Sequence, residues 1–424
     1  MTEQLKLKLN DSRAIRWGAL AIVAFTMMAA YYVNDVVAPL KTMLETDLAW
    51  SSTDFGFFTG GYSFLNVFFL MLIWGGLILD RFGIRFTGKL ATILMVGGTA
   101  LEYYAMTGLA GADATLFGIN EIFGYKTGVF VAFAGYSIFG VGAEVAGITV
   151  SKIIAKWFKG KELATAMGVQ VALARIGSQA GYAVAIPLAR AFGISTPVLL
   201  GLVLLLGGMI AFFVFAVMDK KLDKQMEAAA IAAGTEDEEE KFSFKDVKNI
   251  LVNPGFWLIA LLCVLFYSCV FPFQKFASEL MIIKYGINEN VAGTFAGLPA
   301  LGALILTPVF GGFIDKRGKS ASIMLLGSAM LICVHFIYAI PDINYWLVAI
   351  VLMIILGIAF SLVPSAMWPA VAKIFPVSQL GTAYALIFFI QNIGLWGIPT
   401  LIGWVLDAYC ISGKKPDGTN MYDY

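Results

Sequence analysis

The amino-acid sequence predicts an all-α membrane protein built as two bundles of apolar helices. Three observations carry that expectation: the composition, the number and spacing of long apolar runs, and a loop motif that occurs twice. The chain has 424 residues, 59% of them hydrophobic and only 13% charged, with a mean hydropathy of +0.82. Soluble globular chains are nearer half apolar and a quarter charged, so most of this chain belongs in lipid. A net charge of +1 offers no basic surplus for nucleic acid. The four cysteines, Cys263, Cys269, Cys333 and Cys410, lack metal-ligand spacing. Three lie in apolar runs, where a thiol packs as a small hydrophobe. No metal, cofactor or disulfide framework is expected.

A helix needs about 20 predominantly apolar residues to cross a hydrocarbon core of roughly 30 Å. The polar start, MTEQLKLKLNDSR, leads into a run at 15–38 with no small-residue cleavage site before Tyr31. It reads as a retained first span. Further runs lie at 55–79, 88–109, 127–157, 163–190 and 196–218, and then at 256–283, 291–314, 320–340, 344–374 and 380–408. Between the two sets is a polar stretch with the acidic run Glu236 to Glu240. The expected organisation is a bundle at 1–218, a linker at 219–254, and a second bundle at 255–424 that ends in a loop. Six spans precede the linker and five follow, which implies that a twelfth is missing from this chain.

Positive loops stay cytoplasmic. Lys6, Lys8, Arg13 and Arg16 precede the first run; Arg81, Arg85 and Lys89 fill the second connection; Lys156, Lys159 and Lys161 fill the fourth. The linker and the eighth connection (Lys316, Arg317, Lys319) are also basic, whereas the connections between them are poor in charge. The N-terminus and linker should therefore be cytoplasmic, and residues 409–424 outside.

The second connection reads GGLILDRFGIR and the eighth GGFIDKRGK. Gly76, Asp80 and Gly83 repeat as Gly311, Asp315 and Gly318, with Arg81, Arg85 and Arg317 beside them. Recurrence at equivalent loops argues for duplicated halves. The glycines are expected to let helices approach, and the aspartates to meet a neighbouring helix N-terminus as a gate.

This paired motif, the two-half layout and the central linker resemble the major facilitator superfamily. The blocks WFKGKELATAMGVQVALARIGSQ (157–179), MWPAVAKIFP (367–376) and QLGTAYALIFFIQNIGL (379–395) resemble its lysosomal dipeptide-uniporter branch, as do VFPF (270–273) and YSFLN (62–66). The resemblance implies a fold of two six-helix bundles, with the final helix absent here, and a transport activity.

Within the runs, Glu144 in GVGAEVAGITV and Arg175 in VALARIGSQ are isolated charges. Such a residue is costly in lipid and usually faces a partner or a cavity. Counted from the turn at Gly160, both lie about 22–24 Å along antiparallel helices, near the midplane where transporter sites sit. Two readings stay open. Either the charges form an ion pair that locks the helices, or they bind a zwitterion, with the carboxylate on an ammonium and the guanidinium on a carboxylate. The resemblance implies the second, with Glu144 taking a peptide's amino end and Arg175 its carboxyl end.

Further candidates for the site are Tyr62 and Asn66, four apart on one face, then Tyr267, Trp368, Gln391 and Asn392. Pro272 is expected to kink its span. Asp35 lies near the outer end of the first span, facing solvent or a gate, and His335 reads as structural. No nucleophile–base set or phosphate loop points to an enzyme. The expected protein is a monomeric secondary transporter in a lipid bilayer, taking a small zwitterion such as a dipeptide. Uniport by rocking halves is favoured over proton symport or a non-transporting receptor. The short loops fit a prokaryotic inner membrane better than a lysosomal one.

Overall fold

The computed structural model describes residues 8–111, 114–233, 244–375, 377–416 and 418–424. The acidic run Glu236 to Glu240 and the Asp315 side chain lie outside the described residues. The helices are α1 (Arg13–Val36), α2 (Lys41–Leu48), α3 (Ser52–Phe68), α4 (Met71–Thr107), α5 (Thr127–Trp157), α6 (Leu163–Phe192) and α7 (Thr196–Ala233) in the first part of the chain. They continue with α8 (Phe244–Val252), α9 (Pro254–Ile283), α10 (Glu289–Ala296), α11 (Leu298–Arg317), α12 (Ser320–Tyr338), α13 (Trp346–Ile374) and α14 (Val377–Tyr409). Each of the expected apolar runs is helical, but the boundaries show what hydropathy missed. The second run breaks at Leu70, where the backbone is left-handed and the axis turns by 58° between α3 and α4. The third run continues α4 past Gly83, whose φ of 73° and ψ of 174° divide it into two helices. Among the described residues, eight helices are long and apolar enough to cross a membrane, or nine if α3 and α4 form one bent span. The helix α6, which carries Arg175, Gln170 and Gln179, is not among them.

Local chemistry sets the helix starts. Ser51 and Asp54 exchange side-chain and backbone hydrogen bonds at the start of α3 (3.0 and 2.9 Å), which satisfies two otherwise orphaned donors. Asn253 accepts from Gly255 N at 2.8 Å ahead of Pro254, which opens α9. Gly318 ends α11 with φ +67°, so both repeats of the loop motif place their last glycine at a positive φ.

Two apolar cores correspond to the two halves. One draws on α1 and α3–α7, the other on α9 and α11–α14. The halves meet along two seams of bare backbone. A Cβ on Gly56 of α3 would lie 2.4 Å from Pro399 O, and one on Gly403 of α14 would lie 2.1 Å from Ser52 O. Across the other seam, a Cβ on Gly293 would fall 2.2 Å from Tyr182 O of α6. Small residues allow such approach between membrane helices.

Both seams gather at one end of the molecule, which is also pinned by charge. Lys41 of α2, buried, sits 2.6 Å from Glu279 of α9 and 3.0 Å from Glu45. Lys275 of α9 lies 3.2 Å from Asp35 of α1. Arg190 of α6 pairs with Glu289 of α10. The hairpin of Ile411–Lys414 and Asn420–Tyr422 covers this end, with Tyr422 donating to Asp407 at 2.7 Å and Tyr424 to Glu279.

Candidate substrate site

Between the halves lies a cavity of about 480 Å³. Backbone contact aims its two central charges. A Cβ on Gly140 of α5 would stand 2.0 Å from Tyr62 O, so α3 and α5 touch, and the Tyr62 hydroxyl donates to Glu144 Oε1 at 3.0 Å. A Cβ on Gly177 of α6 would stand 2.1 Å from Met28 O of α1. That contact sets the Arg175 guanidinium 5.6 Å from the Tyr31 ring of α1, with the Phe360 ring of α13 on the opposing half at 5.0 Å. Rings at these distances attract a cation and leave its hydrogen-bonding edge open.

Glu144 and Arg175 both line the cavity but form no ion pair with each other. The expectation that the two charges lock α5 to α6 is thus not met: Glu144 is held by Tyr62, and Arg175 by aromatic faces. Both charges line one cavity, and rotation about the helix axes sets which groups they touch.

Tyr267, Trp368 and Gln391 also line the cavity, on the opposing half. Trp368 Nε1 donates to the Tyr267 hydroxyl at 3.3 Å, and Gln391 Oε1 accepts from Cys263 Sγ at 3.2 Å. Asn66 and Asn392 do not line it. Asn392 follows Gln391 by about 100° of helical turn, and its amide donates to Phe388 O within its own helix. Asn66 is buried within its bundle, with neither amide atom hydrogen-bonded.

The loop motif makes none of its expected contacts between halves among the described residues in this conformation. A Cβ built on Gly76 or Gly311 meets nothing within 4 Å, so neither glycine serves close packing in this conformation. The close contact belongs to Gly75, whose Cβ would fall 2.5 Å from Val145 Cγ2. Asp80 pairs with Lys152 of its own half at 3.0 Å, both exposed. Arg85 binds Asp223 at 2.7 Å; Arg81 and Arg317 lie over Phe82 and Phe313. Gly76, Gly311 and Asp80 therefore make no contact across the halves, while the opposite end is closed.

Sequence reasoning missed Lys275, which lines the cavity towards the closed end and binds Asn34 O, Asp35 and the Tyr136 hydroxyl. Its signal was present: a lone lysine three residues after Pro272 inside an apolar run. Asp35 proves buried rather than solvated, because Lys275 covers it. Glu102 of α4 was also missed; it is wholly buried and neither oxygen has a hydrogen-bond partner among the described residues. His335 sits in α12, its ring edge-on to Phe273 at 4.9 Å, and does not line the cavity.

The profile of the Major Facilitator Superfamily matches residues 20–397. The chain belongs to that superfamily. Its members are transporters, and this transporter is a multi-pass integral membrane protein rather than an enzyme. It is 29% identical over 403 residues to the lysosomal dipeptide transporter MFSD1 of Homo sapiens, covering 92% of this chain and 79% of that one. The Danio rerio protein of the same name is 28% identical over 400 residues, covering 92% and 80%. Among solved structures, the transporter resembles a bacterial homologue of the human lysosomal transporter Spinster, inward-facing and unoccupied. That match has a TM-score of 0.67 at 14% identity, over 94% of this chain and 84% of that one. The nucleoside transporter NupG gives a TM-score of 0.68 at 13% identity, over 95% and 93%. At those identities the structural likeness speaks for the fold alone.

Proposed function

We propose that this transporter moves small zwitterionic solutes, dipeptides foremost, by alternating access and as a uniporter. The observation that carries the proposal is the placement of Glu144 and Arg175 in one cavity, apart from each other, each with capacity to bind. Glu144 takes the substrate's ammonium while Tyr62 orients it. Arg175, steadied by two rings, grips the carboxylate through its forked edge. The name of the relatives at 28–29% identity supports the substrate class.

The lysine and arginine asymmetry of the connections supports a cytoplasmic N-terminus and central connection. With that orientation the pinned end faces outward and the cavity opens inward. Rocking would break Lys41–Glu279 and Asp35–Lys275 on one side and bring the Asp80 and Asp315 loops together on the other. A bacterial inner membrane and a monomeric state complete the reading. Proton-coupled symport stands second, favoured by one observation: the buried carboxyl of Glu102 on α4, packed beside Gly135 of α5, which has no hydrogen-bond partner among the described residues.

A thermal-shift screen of the purified chain against dipeptides, free amino acids, sugars and nucleosides tests the proposal. Stabilisation by several dipeptides, lost in Arg175→Ala, is the expected outcome. Stabilisation by another class alone would refute it. Substrate uptake that acidifies the lumen of loaded vesicles would replace uniport by symport.

A further inference from the structure

The two walls of the cavity differ in chemistry. Its charges that lack an ion partner, Glu144 and Arg175, stand on the first half. The second half presents a continuous set of rings: Tyr267 and Phe271 on α9, Trp368 on α13, and Phe388 on α14. Tyr267 stacks on Phe271, with ring centres 5.5 Å apart and planes within 12°, and Trp368 packs against Phe388 at 4.8 Å.

Part of the polar capacity of this wall is already used. Trp368 Nε1 donates to Tyr267, the Trp368 carbonyl accepts from the Tyr384 hydroxyl at 3.0 Å, and Gln391 Oε1 accepts from Cys263. The cation on this wall, Lys275, is bound to Asp35 at the closed end. What faces the cavity is therefore mostly ring carbon. Behind it, Phe360 touches both Phe271 (5.4 Å) and the Arg175 guanidinium (5.0 Å), so the ring set continues directly to the carboxylate clamp.

We infer that the halves divide the substrate between them: the first half reads the charged termini, and the rings of Tyr267, Phe271, Trp368 and Phe388 take an apolar side chain and set the preference among dipeptides. This rests on the dipeptide reading above. Specificity follows from two terms of opposite sign. A large apolar side chain laid on the rings leaves water at little polar cost. An acidic side chain loses its hydration there, and the donors left on this wall, the Tyr267 hydroxyl and the Gln391 amide, carry no charge to offset that loss. The preference is for dipeptides with a bulky apolar or aromatic residue, with acidic ones disfavoured.

The test is binding of Ala-Ala, Phe-Ala and Asp-Ala to the purified full chain, measured by calorimetry. Phe-Ala should bind at least about tenfold more tightly than Ala-Ala, the scale expected for burying one ring, and Asp-Ala more weakly than Ala-Ala. Trp368→Ala should weaken Phe-Ala several-fold more than Ala-Ala, removing most of the Phe-Ala preference. Phe388→Leu, which keeps most of the volume, should reduce the same preference and serves if the tryptophan variant does not fold. Equal affinity for the three peptides in the parent protein, with Ala-Ala binding lost in Arg175→Ala, would overturn the inference and leave the termini reading intact. Absence of binding by any of the three would overturn the dipeptide reading itself.

Discussion

Replacing Glu279 by glutamine is expected to unlatch the closed end. Lys41 and Glu279 are each 1% exposed and 2.6 Å apart, and they belong to different halves. Removing one partner of a buried pair costs about 3–5 kcal/mol, chiefly because the remaining charge is left unmatched. Here Glu45 stays on Lys41 at 3.0 Å, so the lower figure applies. Once the halves separate, water solvates both groups, and the substitution costs little in that state. A difference of about 3 kcal/mol moves the open-to-closed ratio roughly a hundredfold, since 1.4 kcal/mol is a factor of ten. Spin labels at positions 47 and 291, both exposed at this end, report the change by pulsed dipolar spectroscopy in a background free of native cysteines. The expected result for Glu279→Gln is growth of a longer-distance population. An unchanged distance distribution together with a lower melting temperature would mean that the pair holds the fold and not the gate, refuting the reasoning.

Other substitutions probe the same account. Gly56→Val drives a branched side chain into the Pro399 carbonyl and should also lengthen the 47–291 distance, with no effect if the α3–α14 seam does not close the end. Tyr62→Phe removes the hydrogen bond to Glu144; dipeptide affinity should fall about ten- to a hundredfold, on the scale of one bond to a charged group, with the melting temperature little changed. Asp219, fully buried, accepts from Lys156 (2.8 Å) and Trp157 Nε1 (2.9 Å), so Asp219→Asn should destabilise the fold by about 3 kcal/mol, read as a lower melting temperature with affinity retained. Glu162 is held below the usual carboxylate range by its hydrogen bond to Arg16, and Asp11 by that to Lys161. A lowered carboxyl stabilises above its unfolded value and loses that contribution as pH falls through the folded one. The clasp of residues 8–16 on the α5–α6 turn should thus loosen below about pH 4, seen as faster hydrogen exchange there but not in the Asp11→Asn, Glu162→Gln double variant.

Much of the architecture could be read from residues alone, because long apolar runs and their basic connections follow from the lipid environment. Glu144 and Arg175 stood out for the same reason: an isolated charge in a span is rare unless it faces a cavity. What escaped was anything that depends on rotation or on the partner half. Depth along a helix follows from counting, but whether Glu144 turns to Arg175 or to Tyr62 depends on how closely α3 packs at Gly140. Adjacent Gln391 and Asn392 look equivalent in sequence, yet only Gln391 reaches the cavity. Lys41 and Glu279 lie near span ends, where a charge passes for a boundary; their role, like that of Lys275 inside its run, depends on contacts between halves distant in sequence. The glycines at 76 and 311 were legible as a repeat but not in their contacts, since a Cβ on either meets nothing within 4 Å in this conformation.

The central claim, that Glu144 and Arg175 hold the two termini of one substrate, is tested most directly by a chemical double-mutant cycle. Binding of Ala-Ala, its N-acetyl form and its C-terminal amide is measured on the parent protein, Glu144→Gln and Arg175→Ala. The account predicts that amidation weakens binding to the parent strongly and to Arg175→Ala hardly at all, while acetylation shows the same dependence on Glu144. Equal losses on amidation in the parent and Arg175→Ala would mean that the arginine never meets the carboxylate and would contradict the account.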